Sequence, residues 1–373
     1  MAAPALGDAD PGIKTPLADS GAIKAPLISL RGLERHYLLP GGLWSRAGAW
    51  IGRPVASRIL QAVAGVDLDV PQGEVIGIVG ESGCGKSTLG RMLTGMLTPT
   101  AGHILYKGQT AAAMNAASRH QQHLAIQMIF QDPFSSLNPR MRVIDIIGEA
   151  PVAHGMVRSA DQEDYVVGLM HKVGLDPAWR FRYPHQFSGG QRQRIGVARA
   201  LALRPSVLVC DEAVAALDVS IQAQVLNLFM QLQAEFGLTY FFISHNLGVV
   251  SHISDRVAIM YLGRIVEVAD TDTIFTRAQH PYTQALIKEL PVLRTGQRQF
   301  ATIKGEQPSP LAPPPGCPFH PRCEHAMAVC HTERPVLQAV GPDAGHLSAC
   351  HLNVTTLAAF MPALLKQPQG LTP

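Results

Sequence analysis

Charge is scarce in this 373-residue sequence: Asp, Glu, Lys and Arg make up 16% of it, and the formal net charge is only +3. No basic run stands out, so nothing supports the concentrated positive patch that nucleic-acid binding requires. Long apolar runs are missing too, since none reaches the roughly 18–20 residues of a membrane-spanning helix. The N-terminus, MAAPALGDADPGIKTPLADSGAIKAP, is broken by acidic residues and has no apolar h-region. No secretory signal is read there. There is no repeat at solenoid periods. These absences predict a soluble, cytoplasmic chain, able at most to dock on a membrane protein. Cysteine is sparse as well, at six residues, and in a reducing compartment clustered cysteines point to metal ligands before disulfides. Apolar content is ample, at 47%. That suffices for a large core, and the length suits two domains or one with an appendage.

Along the chain, residues 1–26 lack periodicity and predict a flexible tail. ISLRGLERHYLL and ILQAVAGVDLDV alternate as strands, with a turn-rich loop, GGLWSRAGAWIGRP, between them. EVIGIVG, SVLVCDE and TYFFIS are short apolar runs that read as buried strands. Met141 to Phe187 reads as mostly helical. SIQAQVLNLFMQLQAEFG has helical spacing and ends on glycine. RVAIMYLGRIVEVAD reads as two strands joined at Leu262–Gly263, and HPYTQALIKEL as a helix. Beyond Pro291 the chain turns Pro-rich, which places a boundary there. A short helix is expected within LAAFMPALLKQPQGLTP.

The strand EVIGIVG runs straight into GESGCGKST, a G-x-x-x-x-G-K-S/T loop with Gly80, Gly85, Lys86 and Ser87. Its glycines let backbone N–H groups of Ser82, Gly83, Cys84 and Thr88 close around phosphate oxygens, and the following helix adds its positive end. Lys86 is expected to reach the β- and γ-phosphates, and the Ser87 hydroxyl to bind Mg²⁺. Cys84 fills a position where the backbone matters, with no redox role. SVLVCDE ends in Asp211, a Mg²⁺ partner beside such a loop, and Glu212, placed to polarise an attacking water.

With these residues in place, the sequence resembles the ATP-binding-cassette ATPases. FSGGQRQR resembles their signature loop, so Ser188, Gly189, Gly190 and Gln191 are expected to meet ATP held by a partner cassette. Ser188 and the two glycines also offer a hydroxyl and N–H groups ahead of a helix, a second anion-binding N-terminus. The resemblance implies that Gln131 is the Q-loop glutamine, sensing Mg²⁺ and the γ-phosphate, and His245 the switch histidine. It places Asp218 in the D-loop and stacks Tyr37 on adenine. The implied fold is α/β: a P-loop NTPase cassette with a RecA-like core, an antiparallel β subdomain and a helical subdomain at about 135–187, all within residues 27–291. A small Cys/Pro-rich C-terminal domain, 292–373, follows. Three positions depart from the family pattern: Ala213, Ala215 and Asn246.

QDPFSSLNPRM, HPYTQALI and GEQPSPLAPPPGCPFHPRC narrow the resemblance to ATPase subunits of oligopeptide/dipeptide-type importers. It implies a second ATPase chain, identical or paralogous, two membrane permeases contacted through DPFSSLNPRM, and an extracytoplasmic solute-binding protein. Nickel, glutathione or another small solute is the alternative cargo. A non-transport role is the remote alternative, disfavoured because the chain has one cassette and no heptad insertion. Cys317, Cys323 and Cys330 have five and then six residues between them, and Cys350 follows. Four thiolates suit zinc or an iron–sulfur cluster, and the wide spacing favours the cluster. The resemblance likewise implies a four-iron, four-sulfur cluster, which would supply the folding energy of a segment with little core of its own. His320, His325, His331, His346 and His351 are competing ligands, with surface positions expected for each.

Overall fold

A computed structural model describes residues 25–39, 58–290, 303, 305–341 and 343–353. Most of the expected tail, the loop at 40–57 and the terminal helix lie outside them. The chain opens with two long strands, β1 (Pro26–Leu39) and β2 (Arg58–Pro71), followed by β3 (Val75–Val79) and helix α1 (Lys86–Leu93). Strands β4 (Ala101–Tyr106) and β5 (Gln109–Thr110), helix α2 (Ala116–Ala125) and strand β6 (Ile126–Ile129) come next. A helical stretch then holds α3 (Pro133–Ser136), α4 (Val143–Ala153), α5 (Gln162–Lys172) and α6 (Gly189–Leu201). Strands and helices alternate through β7 (Val207–Asp211), α7 (Val219–Phe236), β8 (Thr239–Ser244), α8 (Leu247–Ile253), β9 (Arg256–Tyr261) and β10 (Arg264–Asp270). Helices α9 (Thr271–Arg277), α10 (Pro281–Lys288) and α11 (Ala328–Thr332) precede strands β11 (Gln338–Val340) and β12 (Asp343–Ser348).

These strands form two sheets. One is antiparallel, in the order β2-β1-β4-β5; the other has eight strands in the order β11-β12-β10-β9-β3-β8-β7-β6. From β9 to β6 the larger sheet is parallel. Every residue of β3, β7 and β8 is buried, because both faces are covered, which is why these strands are apolar throughout. The pleat then divides their side chains between two cores. Ile76, Ile78, Val207, Val209, Phe241 and Ile243 pack with β1, β2 and α1. Val75, Val79, Leu208, Cys210, Tyr240 and Phe242 pack with the helical stretch, α6 and α7.

The expected hairpin at Leu262–Gly263 is present, with φ of 43° and 78° at the two turn residues, the left-handed pair that a two-residue turn demands. Helix α7 ends where its glycine predicted, at Gly237 with φ 62°. The helix after the phosphate loop stops at Leu93.

The described residues beyond 291 do not stand apart from this architecture. β12 pairs with β10 and β11 with β12, so the C-terminal segment prolongs the large sheet at its antiparallel edge. Phe319 is 3% exposed and meets Tyr261 edge-on at 5.4 Å and Tyr282 at 5.3 Å. Buried Glu267 of β10 accepts hydrogen bonds from the backbone N–H of Gln279 and His280, and lies 2.8 Å from His346 Nε2 of β12. His346, expected at the surface, is therefore a buried link between strands.

Candidate functional site

The C-terminal ends of β3, β8, β7 and β6, neighbours in the parallel sheet, deliver the candidate residues to one edge, where open α/β sheets bind ligands. β3 leads into the phosphate loop. At Gly85 φ is 108°, and a Cβ there would lie 2.0 Å from the Ala62 carbonyl oxygen. At Gly80 a Cβ would lie 2.1 Å from the Met260 carbonyl oxygen. Both glycines are thus required by close backbone approach. Gly83 has φ 78° with open space around it, and Ser82 beside it is exposed. Lys86 is 4% exposed, and its Nζ donates to the carbonyls of Gly80 at 2.7 Å and Glu81 at 2.9 Å. Buried Cys84 lies beneath it, Sγ 3.8 Å from Nζ, and burial pushes its thiol above the ordinary range.

Ser87 lies in the first turn of α1 beside Thr88, and its Oγ donates to Asp211 Oδ1 at 2.8 Å. Burial pushes the Asp211 carboxyl up, while the Ser87 hydroxyl holds it back. A hydroxyl and a carboxylate so placed are hard oxygen donors, and they suit Mg²⁺, which takes one or two carboxylates and completes its shell with phosphates and water. Glu212 follows with φ 46°, a left-handed conformation rare for a non-glycine residue and concentrated at functional sites. Its N–H donates to the Ile243 carbonyl, tying this turn to β8. Its two carboxylate oxygens are both engaged: Gln131 Nε2 donates to Oε2 at 2.7 Å, and His245 Nδ1 lies 3.3 Å from Oε1. Asn246, one of the departing positions, caps α8 through its side chain and the Gly248 N–H at 2.9 Å.

The remaining candidates lie apart from this cluster. Ser188 caps α6: its Oγ accepts from the Gln191 N–H, and the Gln191 side chain accepts from the Ser188 N–H at 2.9 Å. At Gly190 a Cβ would come within 2.5 Å of Ile221, so the start of α6 packs tightly on α7. Gly189 is half-buried there, and Asp218, ahead of α7, is exposed. Tyr37, near the end of β1, carries the Arg35 guanidinium 4.7 Å from its ring centre. Among the described residues no hydrogen bond joins Tyr37, Asp218 or the Ser188 loop to the phosphate loop.

The expected metal centre in the tail is overturned. Among the described residues, no group of three or more His, Cys, Asp or Glu side chains is placed to hold a metal ion. Cys317, Cys323, Cys330 and Cys350 border one narrow space with His320 and His325, but that space is about 10 Å³, roughly what one water needs. Burial pushes the thiols of Cys317 and Cys323 up, and that of Cys350 to about 11. The iron–sulfur cluster and its zinc alternative are both withdrawn. Phe319, β12 and the Glu267–His346 link supply the order that metal was expected to supply.

Sequence reasoning also missed a contact of the phosphate loop itself. Arg322, between two of these cysteines, grips Glu81 with both guanidinium nitrogens, at 2.7 and 2.9 Å. The only sequence signal was a charged residue in a variable position of the loop motif.

Known proteins give a consistent picture. Residues 63–215 match the ABC transporter family, and residues 266–330 the C-terminal region of oligopeptide/dipeptide transporters. The oligopeptide transport ATP-binding protein AppF of Bacillus subtilis (strain 168) is 46% identical over 337 residues, 89% of this chain and 99% of AppF. The dipeptide transport ATP-binding protein DppF of Escherichia coli (strain K12) is 44% identical over 329 residues, 88% of this chain and 95% of DppF. Among solved structures, cbiO1 of Clostridium perfringens superposes with a TM-score of 0.56 at 24% identity, covering 68% of this chain and 92% of cbiO1. The cassette MJ0796, solved as a dimer with ADP and Pi, gives 0.55 at 22%, covering 65% and 98%. At these identities the two structures speak for the fold alone, and the sequence relatives for the rest: this chain belongs to the ATP-binding-cassette ATPases of the oligopeptide/dipeptide transporter family.

Proposed function

We propose that the chain is the ATP-hydrolysing subunit of an importer for di- and oligopeptides, acting at the cytoplasmic face of the membrane. The observation that carries this reading is the meeting of Lys86, Ser87, Asp211, Gln131, Glu212 and His245 at the ends of four neighbouring parallel strands. Among the described residues no helix is long and apolar enough to cross a membrane. The permease subunits are accordingly separate chains in this reading. Phe134, 65% exposed in DPFSSLNPRM with the Arg192 guanidinium 3.9 Å from its ring centre, is a firm apolar feature for them to contact. An extracytoplasmic binding protein delivers the peptide. The proposed division has a tail at 1–26, the cassette at 27–291 with its helical subdomain near 135–187, and a C-terminal domain at 292–373 whose strands β11 and β12 lie on the sheet edge.

In the proposed mechanism, the phosphates of ATP enter the loop formed by Gly80, Ser82, Gly83, Cys84, Gly85 and Thr88. Lys86 exchanges its two carbonyl partners for β- and γ-phosphate oxygens. Ser87, Asp211 and Gln131 are the residues to hold Mg²⁺, which when bound offsets phosphate charge. Tyr37 stacks on adenine. Ser188, Gly189, Gly190 and Gln191 of a second cassette complete the site from the other side, with Asp218 of each chain at the seam. Glu212 takes a proton from water as its oxygen attacks the γ-phosphorus; the bond to ADP breaks, leaving ADP and phosphate. Gln131, hydrogen-bonded to Glu212, and His245 beside it orient that carboxylate. Loss of the γ-phosphate contact opens the cassette pair, and this motion drives the permeases.

Glu212→Gln keeps the size of the side chain and removes the base. Turnover of ATP should fall at least about 100-fold, the usual scale for a lost general base, with ATP binding intact. Unchanged turnover in this variant would remove Glu212 from the base role.

A further inference from the structure

Glu81 is gripped from outside the phosphate loop. Its N–H donates to the Tyr282 hydroxyl at 3.0 Å, and its carbonyl accepts from Lys86 Nζ and from the Cys84 N–H. Its carboxylate meets the forked guanidinium of Arg322, 241 positions later, through both oxygens. The pair is shielded: the Arg322 side chain is 5% exposed and that of Glu81 23%. It is therefore unlike the exposed ion pairs that contribute little. Arg322 is itself well placed. It ends the short turn His320–Arg322, its N–H donates to the Phe319 carbonyl, and Phe319 packs on Tyr261 and Tyr282. The same tyrosine that holds the Glu81 N–H thus seats the segment that holds its carboxylate.

We propose that Arg322 is a positioning residue of the nucleotide site: it cancels the Glu81 charge beside the phosphates and fixes the loop from the C-terminal segment. The inference rests on the ATP-site reading above. ATP brings several negative charges into a loop that already carries one carboxylate. With Arg322 in place that carboxylate is neutralised through two charge-assisted hydrogen bonds. Without it, a poorly solvated negative charge faces the polyphosphate. The C-terminal segment is in this sense part of the nucleotide site, and anything that loosens it weakens ATP binding.

The test is equilibrium binding of a fluorescent ATP analogue, with Mg²⁺, to the purified full chain. Arg322→Gln should bind about tenfold more weakly, the scale of one unscreened charge near the ligand. Arg322→Lys, which keeps the charge and loses the fork, should recover most of that loss. The double variant Glu81→Gln with Arg322→Gln should also recover, because no uncompensated carboxylate remains; a purely structural role for Arg322 does not predict this. Wild-type affinity in a folded Arg322→Gln, or a double variant as weak as the single one, overturns the inference. Should Arg322→Gln not fold, Glu81→Gln alone decides: with Arg322 left facing the phosphates, binding should tighten, and unchanged or weaker binding overturns the proposal. If the wild type binds no nucleotide, the ATP reading falls first; wild-type binding with an indifferent Arg322→Gln removes this inference alone.

Discussion

The phosphate loop and the C-terminal segment both run largely without regular structure, yet they are held by opposite means. In the loop, Lys86 bonds to carbonyls five and six positions before it, and Cys84 to Glu81. Its turns are written within nine residues and lead into a helix, and the outside clasp falls on Glu81, from Tyr282 and Arg322. The C-terminal segment is held by distant parts of the chain: Phe319 by Tyr261 and Tyr282, His346 by Glu267, Arg322 by Glu81. Local geometry shapes a ligand cradle, and long-range burial shapes a buttress. A docked segment spends its polar groups on distant neighbours.

That contrast can be broken from the buttress side. Phe319→Ala should cost about 3–5 kcal/mol, the range for a buried phenylalanine truncated to alanine. Denaturant unfolding should show the loss, and hydrogen exchange should place it in residues 305–353 first. Equal exchange throughout the chain would mean the segment is not held by this ring. His346→Ala removes one of three partners of the fully buried Glu267, and about 2 kcal/mol is expected, since both backbone donors remain. Full stability in that variant would show the ring to be a bystander.

A pH measurement sharpens the comparison further. The Nδ1 of His280 accepts the Tyr282 N–H at 3.0 Å, which requires a neutral ring, and burial pulls its pKa down from 6.5 to about 4. A base with a lowered folded pKa contributes stability that is complete above 6.5 and fades as pH falls toward 4. Between pH 6.5 and 5 the loss should reach about 2 kcal/mol. Glu74 acts in the opposite sense, because burial raises its pKa to about 7, so its contribution fades as pH rises from 4.5 to 7. The difference between wild type and His280→Gln isolates the histidine, and parallel pH curves would contradict the assignment. The smallest effect belongs to Arg31, whose pair with Asp69 is about half exposed on both sides. Arg31→Ala should change stability by less than about 1 kcal/mol, and a larger loss would mean that surface pairs, and not docking, hold the strand edge.

How much of this was legible before folding follows the same division. GESGCGKST, SVLVCDE and FFISHN each carry their chemistry in consecutive residues, and their strands were visible as apolar runs because both sheet faces are covered. Gln131, Glu212 and His245 were legible as separate candidates, but not their mutual bonding, because three strands must lie side by side first. The tail misled for a physical reason. Cysteine spacing suggested ligands, and a Pro-rich run with little apolar periodicity suggested that only metal could order it. Neither reading accounts for a neighbouring surface on which the segment can lie. The burial of His346 is not legible in the sequence, because a lone histidine carries no mark of a buried glutamate 79 positions earlier.

By itself, the sequence determined the nucleotide loop, the carboxylates after β7, the alternation that makes a covered parallel sheet, and the family. These depend on neighbours in the chain or on the period of a strand. Only the tertiary structure decided that the C-terminal strands extend that sheet, that four cysteines lie without a metal site among them, and that Arg322 reaches Glu81. Those outcomes depend on which surfaces meet, and contacts between residues 241 positions apart follow from the packing of the whole sheet, not from any local pattern.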